Sequence, residues 1–247
     1  MNTVSRVLFS MVFCLVAIGL IAVSPSYGQF GGLLDTIKSV ISPKSLTEGD
    51  MVSGLKEALR IGTSNAVTTV SKADGFFANP QIRIPLPDSV KKVESILRTA
   101  GFGSYIDEFE LSMNRAAEKA APQAKALFTD ALGQMTFEDA RIILEGGDTA
   151  ATDYFRARTS EPLGAVFKPI ISDSMASVGA TQSFRNLNDQ VRSVPFVGSL
   201  GVDLDQHVTD KSLDGLFYML AEEEKKIRQD PAARTTDLLK RVFGNGK

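Results

Sequence analysis

The stretch LEGGDTAATDYF, residues 144–155, decides the fold. Two glycines followed by Asp148, Thr149 and Thr152 have the composition of a loop that cradles phosphate, and such a loop leads from a strand into a helix in an α/β protein. The same residues also suit a corner between two helices. The flanks choose between the two readings. Thr136 with Asp139 three residues on is a capping box, ahead of Ala140, Ile143 and Leu144 at helical spacing, so a helix precedes the glycines. A phosphate loop also wants a lysine, and none lies between Lys125 and Lys168. The stretch is therefore expected to be a corner. Gly146 and Gly147 would end one helix in the left-handed conformation, and Asp148 would cap the next, through Ala151, Tyr154 and Phe155. The functional alternative is an exposed helix start at which Asp148, Thr149 and Thr152 gather.

Outward from this corner the chain reads as helix almost throughout. Thr47 with Asp50 opens a helix over about 48–73 along Val52, Leu55, Leu59, Ala66 and Val70, and its internal Gly54 and Gly62 suggest close approach by a neighbour. Asp88 is expected to cap a helix from Ser89 to about Ala100, broken by Gly101-Phe102-Gly103. Ser104 with Asp107 opens another on Phe109, Met113, Ala116 and Ala120, and Pro122 starts or kinks the one after. Ser160, Glu161 and Pro162 are expected to start a further helix, kinked at Pro169. Thr181 opens one on Phe184, Leu187, Val191 and Val194. Thr209 precedes a long helix ending beyond Ile227, and Asp230-Pro231 begins the last.

One stretch refuses helix: FFANPQIRIPLPDS, residues 76–89. Pro80, Pro85 and Pro87 remove donors and push their predecessors into extended geometry, while Ile82, Ile84 and Leu86 alternate with period two. An extended segment over about 79–87 is expected, as a strap tying helices together or, on a functional reading, a lid. With no strands to build a sheet, the fold class is all-α: one multi-helix bundle over residues 47–245 with a single extended, proline-containing segment. Doubly wound nucleotide-binding folds are excluded.

The N-terminus reads differently. Arg6 precedes an apolar run from Val7 to Val23, and small and turn-forming residues follow up to Gly28, the layout of a secretory signal peptide over residues 1–28, cleaved after Gly28. An uncleaved anchor is the alternative. Cleavage leaves no membrane span and places the protein in the periplasm. The only cysteine, Cys14, falls inside the run, so the mature chain would contain no disulfide and rely on its core. Residues 29–46 form an amphipathic segment on Phe30, Leu33, Leu34, Ile37, Val40 and Ile41.

Charge and composition narrow the chemistry. The chain holds 27 Lys and Arg against 29 Asp and Glu and no tryptophan, so the basic, aromatic-interleaved footprint of a nucleic-acid binder is missing. The single histidine, His207, lies in VDLDQHVTD; counted from Asp203, an EF-hand would want glycine where Val208 stands and glutamate where Asp214 stands. No metal or cofactor is expected, and the stretch reads as a polar turn before a helix. Cysteine-protease chemistry and a GxSxG elbow are absent. Paired carboxylates remain, from Glu108, Glu110, Glu118 and the Glu222–Glu224 run. That run reads as a solvated helix face with Glu222–Lys226 and Glu224–Arg228 pairs. In LSMNRAAEKAAP, residues 111–122, Asn114, Arg115 and Glu118 would form a polar network if they face inward. The candidate polar cluster is thus Asn114, Arg115, Glu118, Asp139, Asp148, Thr149 and Thr152.

The blocks IRIPLPDSV, MNRAAEKAAP, FEDARIILEGGDTAATDYFR, FKPIISDSM and VTDKSLDGLFYMLAEEEKKIRQDPAARTTDLLKRVFG, taken in order, resemble the bacterial family DUF4197, from about Leu46 to Gly244. The resemblance implies an exported helical protein of Gram-negative bacteria; it implies no activity, cofactor or catalytic residue. Three functions are carried forward: a non-enzymatic domain binding an envelope protein or lipid, a carboxylate-dependent hydrolase using Asp148, Thr152, Arg115 and Glu118, and a carrier of apolar ligands. Oligomeric state is left open.

Overall fold

The computed structural model describes residues 47–177, 181–182, 184–185, 188–189, 202–234 and 236–244. The expected signal peptide, the amphipathic segment 29–46 and the loop 194–201 lie outside the described residues. The described part is all-α and belongs to one compact unit, Leu46–Lys247; it contains helices and turns and no strand. In chain order the helices are α1 (Glu48–Val70), α2 (Asp88–Leu97), α3 (Gly103–Ala120), α4 (Ala124–Gln134), α5 (Phe137–Glu145), α6 (Ala150–Ser177), α7 (Leu204–Gln229) and α8 (Asp237–Gly244).

The two capping boxes form as their spacing predicts. Thr47 accepts from the Asp50 amide and Thr136 from the Asp139 amide, each with the reciprocal carboxylate bond. Other helix starts differ from expectation. Asp88 is the first residue of α2 rather than its cap, and the position before it is Pro87. Between α2 and α3 lies a widened turn, Arg98–Phe102, in which Gly101 takes φ 90°, a conformation open to glycine. Asp107 does not cap α3; it pairs with Arg98 across this elbow at 2.8 Å.

The expected break at Pro162 does not occur: α6 runs continuously from Ala150 to Ser177 through both Pro162 and Pro169. Each proline forfeits one backbone bond and costs about 3 kcal/mol in a helix interior. The helix survives because Phe155, Leu163, Phe167, Ile171 and Met175 make one fully buried stripe, whose combined burial outweighs both losses.

That stripe packs on α7, which runs antiparallel to it: Thr152 meets Glu224, Arg156 meets Asp214 and Lys168 meets Asp203. The core centres on Phe128 of α4, whose ring meets Phe155 of α6 edge-on at 5.1 Å and Phe217 of α7 at 6.1 Å. Helix α1 lies along α4 and α7, and α3 along α6. Phe184 is buried as expected and stacks on Phe109 of α3 at 5.3 Å.

The segment between α1 and α2, expected to be extended over about 79–87, is so over 83–87; residues 80–82 form a turn in which the Ile82 and Arg83 amides donate to the Asn79 carbonyl at 3.2 and 2.8 Å. Ile82, Ile84 and Leu86 point into the core while Gln81 and Arg83 are exposed, the two-residue alternation read from sequence. Phe76, at the start of the same segment, is fully buried, and Gly215 on α7 makes room for it: a Cβ there would meet the Phe76 ring at 2.6 Å.

Candidate functional site

The seven candidate residues fall into separate places, and each has a structural partner. Asn114, Arg115 and Glu118 all project from α3 toward the extended segment. The Asn114 carboxamide acts as a missing β-strand neighbour: its Oδ1 accepts from the Ile84 amide at 2.8 Å, and its Nδ2 donates to the Ile84 carbonyl at 3.0 Å. A second bond from Nδ2 reaches the Glu110 carbonyl at 2.8 Å. One side chain thereby satisfies both backbone groups of a buried residue that has no ladder to join.

One turn further, the Glu118 carboxylate accepts from the amides of Phe76 at 3.0 Å and Phe77 at 3.3 Å. Arg115 closes the network, reaching Glu118 and Asp74 at 2.7 Å each. Asp74 is the one described non-glycine residue with positive φ, 65°, and this ion pair holds it there. Arg83 clamps the outside, bonded twice to Glu110 at 3.0 and 2.9 Å and lying over the Phe77 ring at 4.1 Å. His207 of α7 supplies the last tie, its Nε2 3.0 Å from the Pro85 carbonyl. The carbonyl can only accept, so Nε2 carries the proton. The segment is the expected strap, fastened by side chains.

The corner at 144–155 is held by residues from α7. Neither Gly146 nor Gly147 takes the expected left-handed conformation; Gly146 has φ −78° and ψ 177°, and is small because a Cβ would strike the Cβ of Ala150 at 2.6 Å. Nor is Asp148 the cap of α6. It accepts from Gln229 at 2.7 Å, while the α6 amides of Ala151 and Thr152 donate to Glu224 at 2.9 and 2.8 Å. The Thr152 hydroxyl adds a third bond to the same carboxylate at 2.8 Å. Arg228 pairs with Glu224 at 2.9 Å and donates to the Ile143 carbonyl at 2.7 Å, closing the end of α5. Thr149 contributes its carbonyl to the first turn, accepting from Asp153 at 2.9 Å. The positive end of α6, where an anion would bind, is thus occupied by the protein's own carboxylate.

Glu224 corrects the expectation of a solvated face. It is buried, at 5 % exposure, and forms the expected pair with Arg228, while Glu222 pairs with Lys225 rather than with Lys226, which pairs with Glu223. The signal was present: Glu224 stands four residues after Leu220 and three before Ile227, on the buried stripe itself. Asp139 sits apart from the corner's floor, in its capping box. The backbone and hydroxyl of Thr136 lower its carboxyl below the usual aspartate range, with Arg158 adding to the effect.

Among the described residues no buried side-chain nitrogen or oxygen lacks a partner, and no three metal-ligating side chains converge. His207 is engaged with the strap from inside α7, which starts at Leu204 rather than after Thr209, so most of the stretch expected to be a polar turn is helix, with Asp203 as its cap accepting from Gln206 at 2.9 Å. No described helix is long and apolar enough to cross a membrane. Among the described residues a concavity lies elsewhere: an open groove of about 860 Å³ along α6 and α7, lined by residues such as Gly164, Ala165, Thr209 and Leu213 and by none of the seven candidates.

Fold and site together define a helical domain whose polar residues fasten a strap and a corner. The chain belongs to the family described as protein of unknown function (DUF4197), whose sequence profile matches residues 45–244. No curated protein and no solved structure matches it.

Proposed function

We propose that this protein is a non-enzymatic binding or scaffolding domain of the bacterial cell envelope, exported to the periplasm by its N-terminal signal. The observation that carries the reading is the engagement of the candidate polar residues: Asn114, Arg115, Glu118, Asp148 and Thr152 each spend their hydrogen bonds on backbone or on a neighbouring side chain. An acid–base pair needs a group free to meet substrate. The four residues of the hydrolase alternative divide between the strap and the corner, where their partners differ. Against an apolar-ligand carrier stands the packing between Leu55, Leu59, Ile227 and Phe243, where the space measures about 10 Å³, room for about one water and far too little for a lipid chain.

The open groove along α6 and α7 is the surface such a domain would use. Purification of the tagged protein from envelope extract, followed by mass spectrometry of co-purifying proteins and lipids, tests the reading. A reproducible partner lost on filling the groove with Gly164→Leu is the expected result. Recovery of the protein alone, together with turnover of an envelope substrate, overturns it.

A further inference from the structure

Resting on that proposal, we infer that the occupant of the α6–α7 groove is an amphipathic helix of a partner protein, bearing Lys or Arg beside its apolar stripe. The charge at the rim sets this choice. Glu161 on one wall and Asp205 on the other have no cationic partner among the described residues, and Asp210 accepts from the neutral Gln206 at 2.8 Å. Lys168, the one cation among the described residues lining the groove, is already engaged with Gln206 at 3.0 Å and Asp203 at 3.8 Å. Elsewhere on the surface carboxylates such as Glu57, Glu94, Glu110, Glu138 and Glu223 sit in ion pairs with Arg or Lys, and single ones such as Glu108 and Asp130 do not among the described residues; the groove differs in bringing unpaired carboxylates together on two facing walls. The groove thus presents uncompensated negative charge on both walls, complementary to a cationic ligand.

The floor fixes the shape of that ligand. Gly164 lies where a Cβ would find its nearest neighbour, Leu213 Cδ1, at 3.9 Å, so the fold's own packing would admit a side chain there. Glycine inside a helix costs about 1 kcal/mol against alanine, and what it provides here is depth at the centre of the groove. Pro169 adds an acceptor, since it lacks the N–H that would otherwise bond the Ala165 carbonyl. A floor of small residues between two antiparallel helices receives the apolar ridge of a third, and acidic walls with a spare carbonyl receive its flanking donors.

The test uses the full chain and two synthetic helices with the same leucine stripe, one flanked by Lys and Arg, the other by Glu, with binding followed by fluorescence anisotropy. The cationic helix is expected to bind, more weakly as salt is added, and the anionic one at least about tenfold less well. Asp205→Lys with Asp210→Lys is expected to weaken the cationic helix about tenfold, Gly164→Leu to block it, and Glu138→Lys on the remote α5 to leave it unchanged. Circular dichroism confirms that each variant is folded. Equal binding of both helices, or indifference to the aspartate changes, overturns the inference. If the cationic helix does not bind at all, the inference falls, and the proposed function falls with it only when the protein is also recovered alone from envelope extract and turns over an envelope substrate.

Discussion

The Glu224 carboxylate on α7 receives both the amide and the hydroxyl of Thr152, at 2.8 Å each, across 72 residues of chain. A helix cap normally comes from the residue next door; here it comes from the opposite helix, so the start of α6 is formed only when α7 is docked. Glu224→Gln keeps the shape but removes the charge that faces Arg228, leaving a guanidinium only 12 % exposed without its partner. A loss of about 3 to 5 kcal/mol is expected. Arg228→Met in the same chain should recover part of it, giving a double variant less destabilised than the sum of the two singles. Urea denaturation of the four proteins measures the coupling.

Asn114 does for the strap what Glu224 does for the corner. Asn114→Leu preserves volume and orphans both the amide and the carbonyl of Ile84, which are buried. At about 1 to 3 kcal/mol for each unsatisfied group, a cost of about 2 to 6 kcal/mol is expected. The local consequence separates this from general weakening: the Ile84 amide should lose hydrogen-exchange protection, and limited proteolysis should cut within residues 77–86 before it cuts elsewhere. Protection at Ile84 equal to that of the parent protein would mean the strap is held by its apolar residues alone.

How much of this was legible follows from where each signal resides. The all-α class, both capping boxes and the alternating burial of Ile82, Ile84 and Leu86 are carried by residues within three or four positions of each other, and local spacing reports them. The continuity of α6 through Pro162 and Pro169 depends on what its buried stripe packs against, which propensity does not contain. Glu224 lay on a buried stripe, yet its neighbours Glu222, Glu223, Lys225 and Lys226 gave the whole run the composition of a wet surface. The seven candidates were sound as polar, structured positions and did not form one site, because those of the strap and of the corner find partners on elements 30 or more residues distant. The groove was invisible for the opposite reason: it is made by what small residues leave empty.

Two glycines show how packing, and not the helix itself, sets the effect of a substitution. At Gly62 a Cβ would rest in ordinary contact with Ile227 at 3.6 Å and Glu223 at 3.8 Å, so the close approach expected there leaves room for a methyl group. Gly62→Ala should therefore stabilise the protein by up to about 1 kcal/mol. At Gly215 the same change drives a Cβ to 2.6 Å from the Phe76 ring and 3.1 Å from Ile82, both in the core. Gly215→Ala should destabilise by about 1 to 3 kcal/mol through overpacking. Opposite shifts in thermal midpoint are the expected outcome, and shifts of the same sign would contradict it.

Asp139 links the corner's first helix to pH. Its carboxylate accepts from the Thr136 amide at 2.9 Å and hydroxyl at 2.8 Å and lies 3.3 Å from Arg158, and these bonds lower its folded pKa below the ordinary aspartate value. The unfolded chain has the ordinary value, about 3.9. The charged form is therefore favoured by folding: its contribution is fully present above about pH 4 and is lost as pH falls through the lower, folded pKa. Asp139→Asn should cost about 1 kcal/mol at pH 7, in the range of a lost helix cap, and progressively less in acid. Denaturation of both proteins from pH 7 down to pH 2 should give curves that converge at the acid end; a gap that stays constant would remove the carboxylate's charge from the explanation and leave its shape.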